Sequence, residues 1–224
     1  MRGRLALQML AVVAAAGLAK ADVAFSDLAA TSPYYTTTSA YQVFGFNSAP
    51  SYASSFVSST TGNISTVSVG ISLVSFGFDG HLNLSLGLAA PDSLGFTSIA
   101  LGTVNANTTV QDGSQLGTLS LSTLTSPLLV QGQTYYLIVS AASSNTYDYW
   151  WSNSDPNNPN YQSNIYSSQG GAPFTLIGSG PAPAFEVDTA VAVPEPATWM
   201  LPCLSVGAVL WCRRRTRTCA QAHR

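Results

Sequence analysis

Between residues 22 and 193 few residues could do chemistry at a reacting bond. That stretch holds one histidine, His81, and no cysteine, lysine or arginine. A Ser-His-Asp relay would have to run through His81. No G-x-S-x-G turn is present, since Gly178-Ser179-Gly180 lacks the flanking residues of such an elbow. His81 sits beside Asn83 and Ser85 on the polar face of an alternating segment, which reads most simply as surface. One imidazole without thiolates does not make a zinc site, so the sequence predicts no metal and no cofactor. Phosphate finds neither a glycine cradle nor a cation. The charged side chains here are all acidic (Asp22, Asp27, Asp79, Asp92, Asp112, Asp148, Asp155, Glu186 and Asp188), so nucleic acid is excluded as a partner. A glycosidase needs two carboxylates astride one bond. These acids are scattered, and several stand in turn settings such as Asp79-Gly80 and Asp112-Gly113.

The chemistry that remains is recognition. Tyr147, Tyr149, Trp150, Trp151, Tyr161 and Tyr166 surround the Asn-rich run 152–160. Flat rings next to amide side chains can stack on pyranose faces and bond their hydroxyls, which makes Tyr149, Trp150, Trp151 and Tyr161 candidate carbohydrate-binding residues. The plainer alternative is that Tyr149 and Trp151 pack inward on a strand while the run caps the fold. Asp155, Asn157 and Asn160 offer oxygens for calcium. The EF-hand pattern fails, however, with Asn160 where Gly belongs and Tyr166 where Glu belongs. Asn63-Ile64-Ser65, Asn83-Leu84-Ser85 and Asn107-Thr108-Thr109 match the glycosylation sequon, as is common by chance in so Asn/Ser/Thr-rich a chain.

The elements that position these residues follow from the placement of charge. The sequence has 8 Lys+Arg and 10 Asp+Glu, a net of −2, but every base lies near an end: Arg2, Arg4 and Lys20 in front, Arg213, Arg214, Arg215, Arg217 and Arg224 behind. Arg2 and Arg4 precede an apolar run from Leu5 to Leu18, and Ala19-Lys20-Ala21 gives the small-x-small pattern cut by signal peptidase. Residues 1–21 are expected to be a signal peptide. At the other end, residues 194–224 begin with Pro194-Glu195-Pro196, where two prolines keep the backbone extended and accessible. An apolar segment from Ala197 to Cys212 follows, about 24 Å long as a helix and barely enough to span a bilayer. Trp199 and Trp211 suit its interfaces, and the Arg213, Arg214, Arg215 and Arg217 cluster holds its end in the cytoplasm.

Residues 22–193 are expected to form one extracytoplasmic domain. Without cysteine it has no disulfide framework. Apolar and polar residues alternate at Val67, Val69, Ile71 and Leu73, again at Leu82, Leu84, Leu86 and Leu88, and at Leu119 and Leu121. Gln133–Ser140 and Phe185, Val187, Thr189 and Val191 read as further strands. Turn signals fall between them at Thr61-Gly62-Asn63, Asp79-Gly80, Pro91-Asp92, Gln111-Asp112-Gly113 and Gln131-Gly132. The pattern predicts an all-β fold, a single antiparallel two-sheet sandwich that is jelly-roll-like.

The tail, in the order V-P-E-P-x-x-W, short apolar helix with Gly207, then arginines, resembles the PEP-CTERM sorting signal of exopolysaccharide-producing Gram-negative bacteria. The resemblance implies recognition of Pro194, Glu195 and Pro196 by an exosortase. A membrane anchor through the C-terminal helix would last until processing, and the destination would be the cell surface or extracellular matrix. A permanent single-span anchor is the alternative. Pro202 and Cys203 depart from the Leu/Gly/Ala-rich helix usual in that family. The body resembles the choice-anchor type R domain at Ala53-Ser54-Ser55-Phe56, at Ile64, Val67 and Val69, at Leu129-Val130, Gly132 and Thr134-Tyr135-Tyr136-Leu137, and at Ala184-Phe185-Glu186-Val187. That family implies an extracytoplasmic β domain with no assigned chemistry. The functional expectation is a non-enzymatic, envelope- or matrix-targeted surface protein with exopolysaccharide as a candidate partner. The alternatives are a carbohydrate-binding module using the 147–166 cluster and, behind it, a glycoside hydrolase.

Overall fold

The computed structural model describes residues 21–28, 40–46, 49–73, 77–106, 116–122, 124–153, 155 and 157–190. The signal peptide up to Lys20, the sorting motif, the apolar segment and the Arg cluster lie outside the described residues, as does the expected turn at Gln111-Asp112-Gly113. Every regular element among the described residues is a strand. In chain order these are β1 (Ala21–Ser26), β2 (Ala40–Phe44), β3 (Pro50–Val57), β4 (Gly62–Leu73), β5 (His81–Gly87), β6 (Ser98–Asn105), β7 (Leu116–Ser120), β8 (Leu128–Leu129), β9 (Thr134–Ala141), β10 (Tyr147–Trp151), β11 (Gln162–Gln169), β12 (Thr175–Pro181) and β13 (Phe185–Ala190).

The strands form two antiparallel sheets. In the first, β4 is the organiser. Its residues Asn63–Val69 pair with β13 and Ile71–Leu73 with β10, while β7 and β8 also pair with it. β1 lies against β13, and β2 against β10. The second sheet runs β12-β11-β3-β9-β5-β6. Alternation explains the facing of each strand, because successive side chains on a strand point to opposite sides. Val67, Val69 and Ile71 of β4, Leu82, Leu84 and Leu86 of β5, and Tyr135, Leu137 and Val139 of β9 all bury in one core shared by both sheets. Aromatic rings from distant segments fill it. Phe25 stacks on Phe185 at 4.7 Å between centroids, and Phe56 meets Phe185 edge-on at 5.6 Å. Burying each such side chain contributes roughly 1.5–3 kcal/mol.

β9 departs from simple alternation, with five successive residues buried from Tyr135 to Val139. Its second face is covered too: Tyr136 and Ile138 join Ala53 and Tyr166, with Phe96 and Phe174 folded over them. A strand buried on both faces reads as a continuous apolar run, which is why Thr134–Val139 shows no period. The turn before it needs glycine, since Gly132 has φ of +78°.

The all-β expectation holds, with two antiparallel sheets consistent with a sandwich. The details differ in places. β5 ends at Gly87 and leaves Leu88 exposed, and Leu121 lies past the end of β7. Ala21, the residue before the expected cleavage point, is the first residue of β1 and pairs with Ala190, while Asp22 pairs with Thr189. A cut after Ala21 would shorten this strand by one residue and leave its register intact.

Candidate functional site

The aromatic cluster seen in the sequence is distributed by strand geometry. On β10, Asp148 and Trp150 turn toward the core, and Trp150 is 0% exposed, with its indole N–H 3.4 Å from the Ala184 carbonyl. Tyr149 and Trp151 turn the other way and pack on each other at 5.2 Å. Trp151 is still only 6% exposed, donating to Ser72 Oγ at 2.8 Å and packing with Ala184, Leu28 and Ala40. Tyr149 keeps part of its ring exposed and accepts from the Gln42 amide at 3.2 Å. Tyr161 is half-buried in the turn before β11. Tyr166 lies in the second sheet, edge-on to Tyr136 at 5.7 Å. The four candidate residues Tyr149, Trp150, Trp151 and Tyr161 therefore do not present one flat platform. The alternative in which Tyr149 and Trp151 pack inward holds for Trp151, which buries with Ala184 on the opposite face of β10, while Trp150 is the ring in the core shared by the sheets.

The Asn-rich run uses its amides on itself. Asp155 N donates to Asn153 Oδ1 at 2.9 Å, Asn157 N to Asp155 Oδ1 at 2.9 Å, and Asn160 N to Asn158 Oδ1 at 2.8 Å. These are Asx turns, in which a short polar side chain caps the backbone two residues on. Asn160 Nδ2 donates to the Ser26 carbonyl at 2.7 Å, and Asn153 Nδ2 donates to the Asp27 carbonyl. The loop is thereby tied to the end of β1. Asp27 itself is buried, with Oδ1 accepting from Phe185 N at 2.6 Å and Oδ2 without a partner. Burial pushes its carboxyl well above the ordinary value, against the lowering effect of the Phe185 N–H. It acts as a clasp joining β1, β13 and the 153–160 loop.

A third group gathers at the corner where the chain crosses from β9 to β10. Asp79 pairs by backbone with Thr146. Ser143 Oγ donates to Asp79 Oδ2 at 2.6 Å, and Thr146 Oγ1 donates to Asp79 Oδ1 at 2.8 Å. Burial would raise the Asp79 carboxyl, but these two hydroxyls and nearby His81 outweigh it and hold it below the ordinary value. His81 is 48% exposed, with Nδ1 3.7 Å from Asp79 Oδ1. Serine, aspartate and histidine thus meet, but in the wrong order for nucleophilic catalysis. The serine hydroxyl is bonded to the carboxylate, whereas a relay needs the imidazole between the two. Gly80 is required here, because a Cβ on it would collide with the Ala106 carbonyl. Asp148 lies close enough for its proton affinity to respond to Asp79, and neither of its carboxyl oxygens has a partner. Sequence reasoning passed over Asp148; the one signal was an acid in register with Trp150 on an aromatic strand.

Among the described residues, no three His, Cys, Asp or Glu side chains converge to hold a metal ion, and no helix is long and apolar enough to cross a membrane. No model of a known protein family matches the sequence, and no curated protein matches it.

Proposed function

We propose that this chain is an exported, non-enzymatic surface protein of an exopolysaccharide-producing Gram-negative bacterium, whose tail directs it to an exosortase. One observation carries this reading: Pro194-Glu195-Pro196, a short apolar segment and four arginines follow in that order a body with no lysine or arginine. Signal peptidase would act at Ala19-Lys20-Ala21, and the C-terminal helix would hold the precursor in the inner membrane until processing. The destination is the cell surface or extracellular matrix. A structural or interaction role is supported by the tied-down state of two acids: buried Asp27 accepts the Phe185 N–H, and Asp79 is held by two hydroxyls. The jelly-roll-like assignment draws support from pairings between distant segments, as in β3 with β9 and β4 with β13. The test is a tag placed after Arg224, followed in the host with and without its exosortase gene. Loss of the tag only when the enzyme is present is the expected result; a tag retained on surface-exposed protein in both strains overturns the reading.

A second reading, a carbohydrate-binding module, is favoured by one feature. No Asp, Glu, Lys or Arg occurs in any strand of the second sheet, from β12 through β11, β3, β9 and β5 to β6. Ser55, Gln162, Asn164 and Ser179 line a shallow depression of about 300 Å³ at this sheet, with Ser179 Oγ donating to Asn164 Oδ1 at 2.8 Å. An uncharged surface of hydroxyls and amides suits a neutral glycan, as Tyr149 beside Gln42 would on the other sheet. Affinity electrophoresis in the host's own polysaccharide decides. Retardation lost in Asn164→Ala or Tyr149→Ala supports this reading, and equal mobility with and without polysaccharide sinks it.

A further inference from the structure

Buried carboxyl oxygens normally have hydrogen-bond partners, and one without calls for an explanation. Asp148 has two such oxygens, Oδ1 and Oδ2, in a side chain with 0% exposure. Where it points follows from its strand. Residues two apart share a face, so Asp148 stands on the side of Thr146 and Trp150, both also buried. The Thr146 hydroxyl is 2.8 Å from Asp79 Oδ1 and 3.0 Å from the His81 carbonyl, and Ser143 Oγ is 2.6 Å from Asp79 Oδ2. The unpartnered carboxyl therefore shares its strand face with Thr146, whose corner assembles a second carboxylate, two hydroxyls and a backbone carbonyl. No Lys or Arg exists between residues 22 and 193 to supply the missing positive charge.

We propose that this corner is a binding site for a calcium-like divalent cation, held by the carboxylates of Asp148 and Asp79 and the neutral oxygens around them. The donor chemistry selects the ion. Residues 22–193 hold no cysteine, and the one nearby imidazole is half exposed, which disfavours zinc and copper. Calcium takes six to eight oxygens in flexible geometry, including hydroxyls, carbonyls and waters, whereas magnesium demands a stricter octahedron. With two carboxylates and the rest neutral, affinity belongs with extracellular modules, at about 10⁻⁴–10⁻³ M.

The experiment is calorimetric titration of the full chain in detergent with calcium chloride near pH 7, alongside thermal melts with calcium or chelator. One ion per chain and a higher Tm with calcium are expected. Asp148→Asn and Asp79→Asn should each weaken binding at least about tenfold, and Asp155→Asn in the Asn-rich loop should leave it unchanged. If Asp148→Asn does not fold, Asp79→Asn carries the comparison. The proposal is overturned if the wild-type chain shows no binding heat or Tm shift tenfold above that concentration range. Undiminished binding in both variants overturns it too, and so does an Asp148→Asn chain that is merely more stable while the wild type ignores calcium.

Discussion

Asp27 shows how a buried acid can serve structure alone. Its Oδ1 takes the Phe185 N–H, and its backbone N–H bonds the Phe185 carbonyl at 3.1 Å. Because burial raises its pKa, the folded chain keeps a proton that the unfolded chain gives up near pH 4. The stability from this group is complete below about pH 4 and is lost as pH rises toward the folded value. Asp27→Asn keeps the oxygen acceptor and removes the titration. Chelator-treated melts between about pH 4 and pH 7.5 should show wild type losing stability with rising pH relative to this variant; a flat or opposite difference contradicts the assignment. The two tryptophans of β10 and their tyrosine neighbour give a second residue-scale test. Trp150→Ala should cost about 3–5 kcal/mol in urea unfolding, and Tyr149→Ala well under half of that. Equal costs would mean that Trp150 is not the core ring. From sequence, the aromatic run looked like one cluster; only strand alternation reveals that adjacent rings face opposite ways.

At the scale of elements, legibility followed burial. β4, β5 and β13 each have one face on the core, and their period-2 pattern shows in the sequence. β9 hides its period because both faces are covered. β11 and β12, Gln162–Gln169 and Thr175–Pro181, are too polar or too Gly-rich for any apolar alternation, and become strands only through their neighbours. That difference predicts local stability. β9 is paired on both sides, to β3 and β5, and is largely buried; β12 is an edge strand paired only to β11, with Leu176 and Ile177 exposed. Hydrogen exchange should find the β9 amides among the slowest and the β12 amides many-fold faster. Comparable protection in the two strands would contradict this topology. The candidate site was the least legible feature. Asp79 and Asp148 are far apart in sequence, and what singles out Asp148 is the lack of a partner, which only the assembled fold exposes.

Across the whole molecule, charge is segregated. The ends hold every lysine and arginine, and the described strands hold their acids in the first sheet, at Asp22, Asp148, Glu186 and Asp188. No strand of the second sheet carries an Asp, Glu, Lys or Arg. An intact-mass measurement on the protein recovered from the host surface tests the proposed processing of both ends directly. A chain beginning at Asp22 and lacking the apolar segment and the arginines after the Pro194-Glu195-Pro196 motif is the predicted result. A surface protein that still runs from Met1 through Arg224 would contradict it.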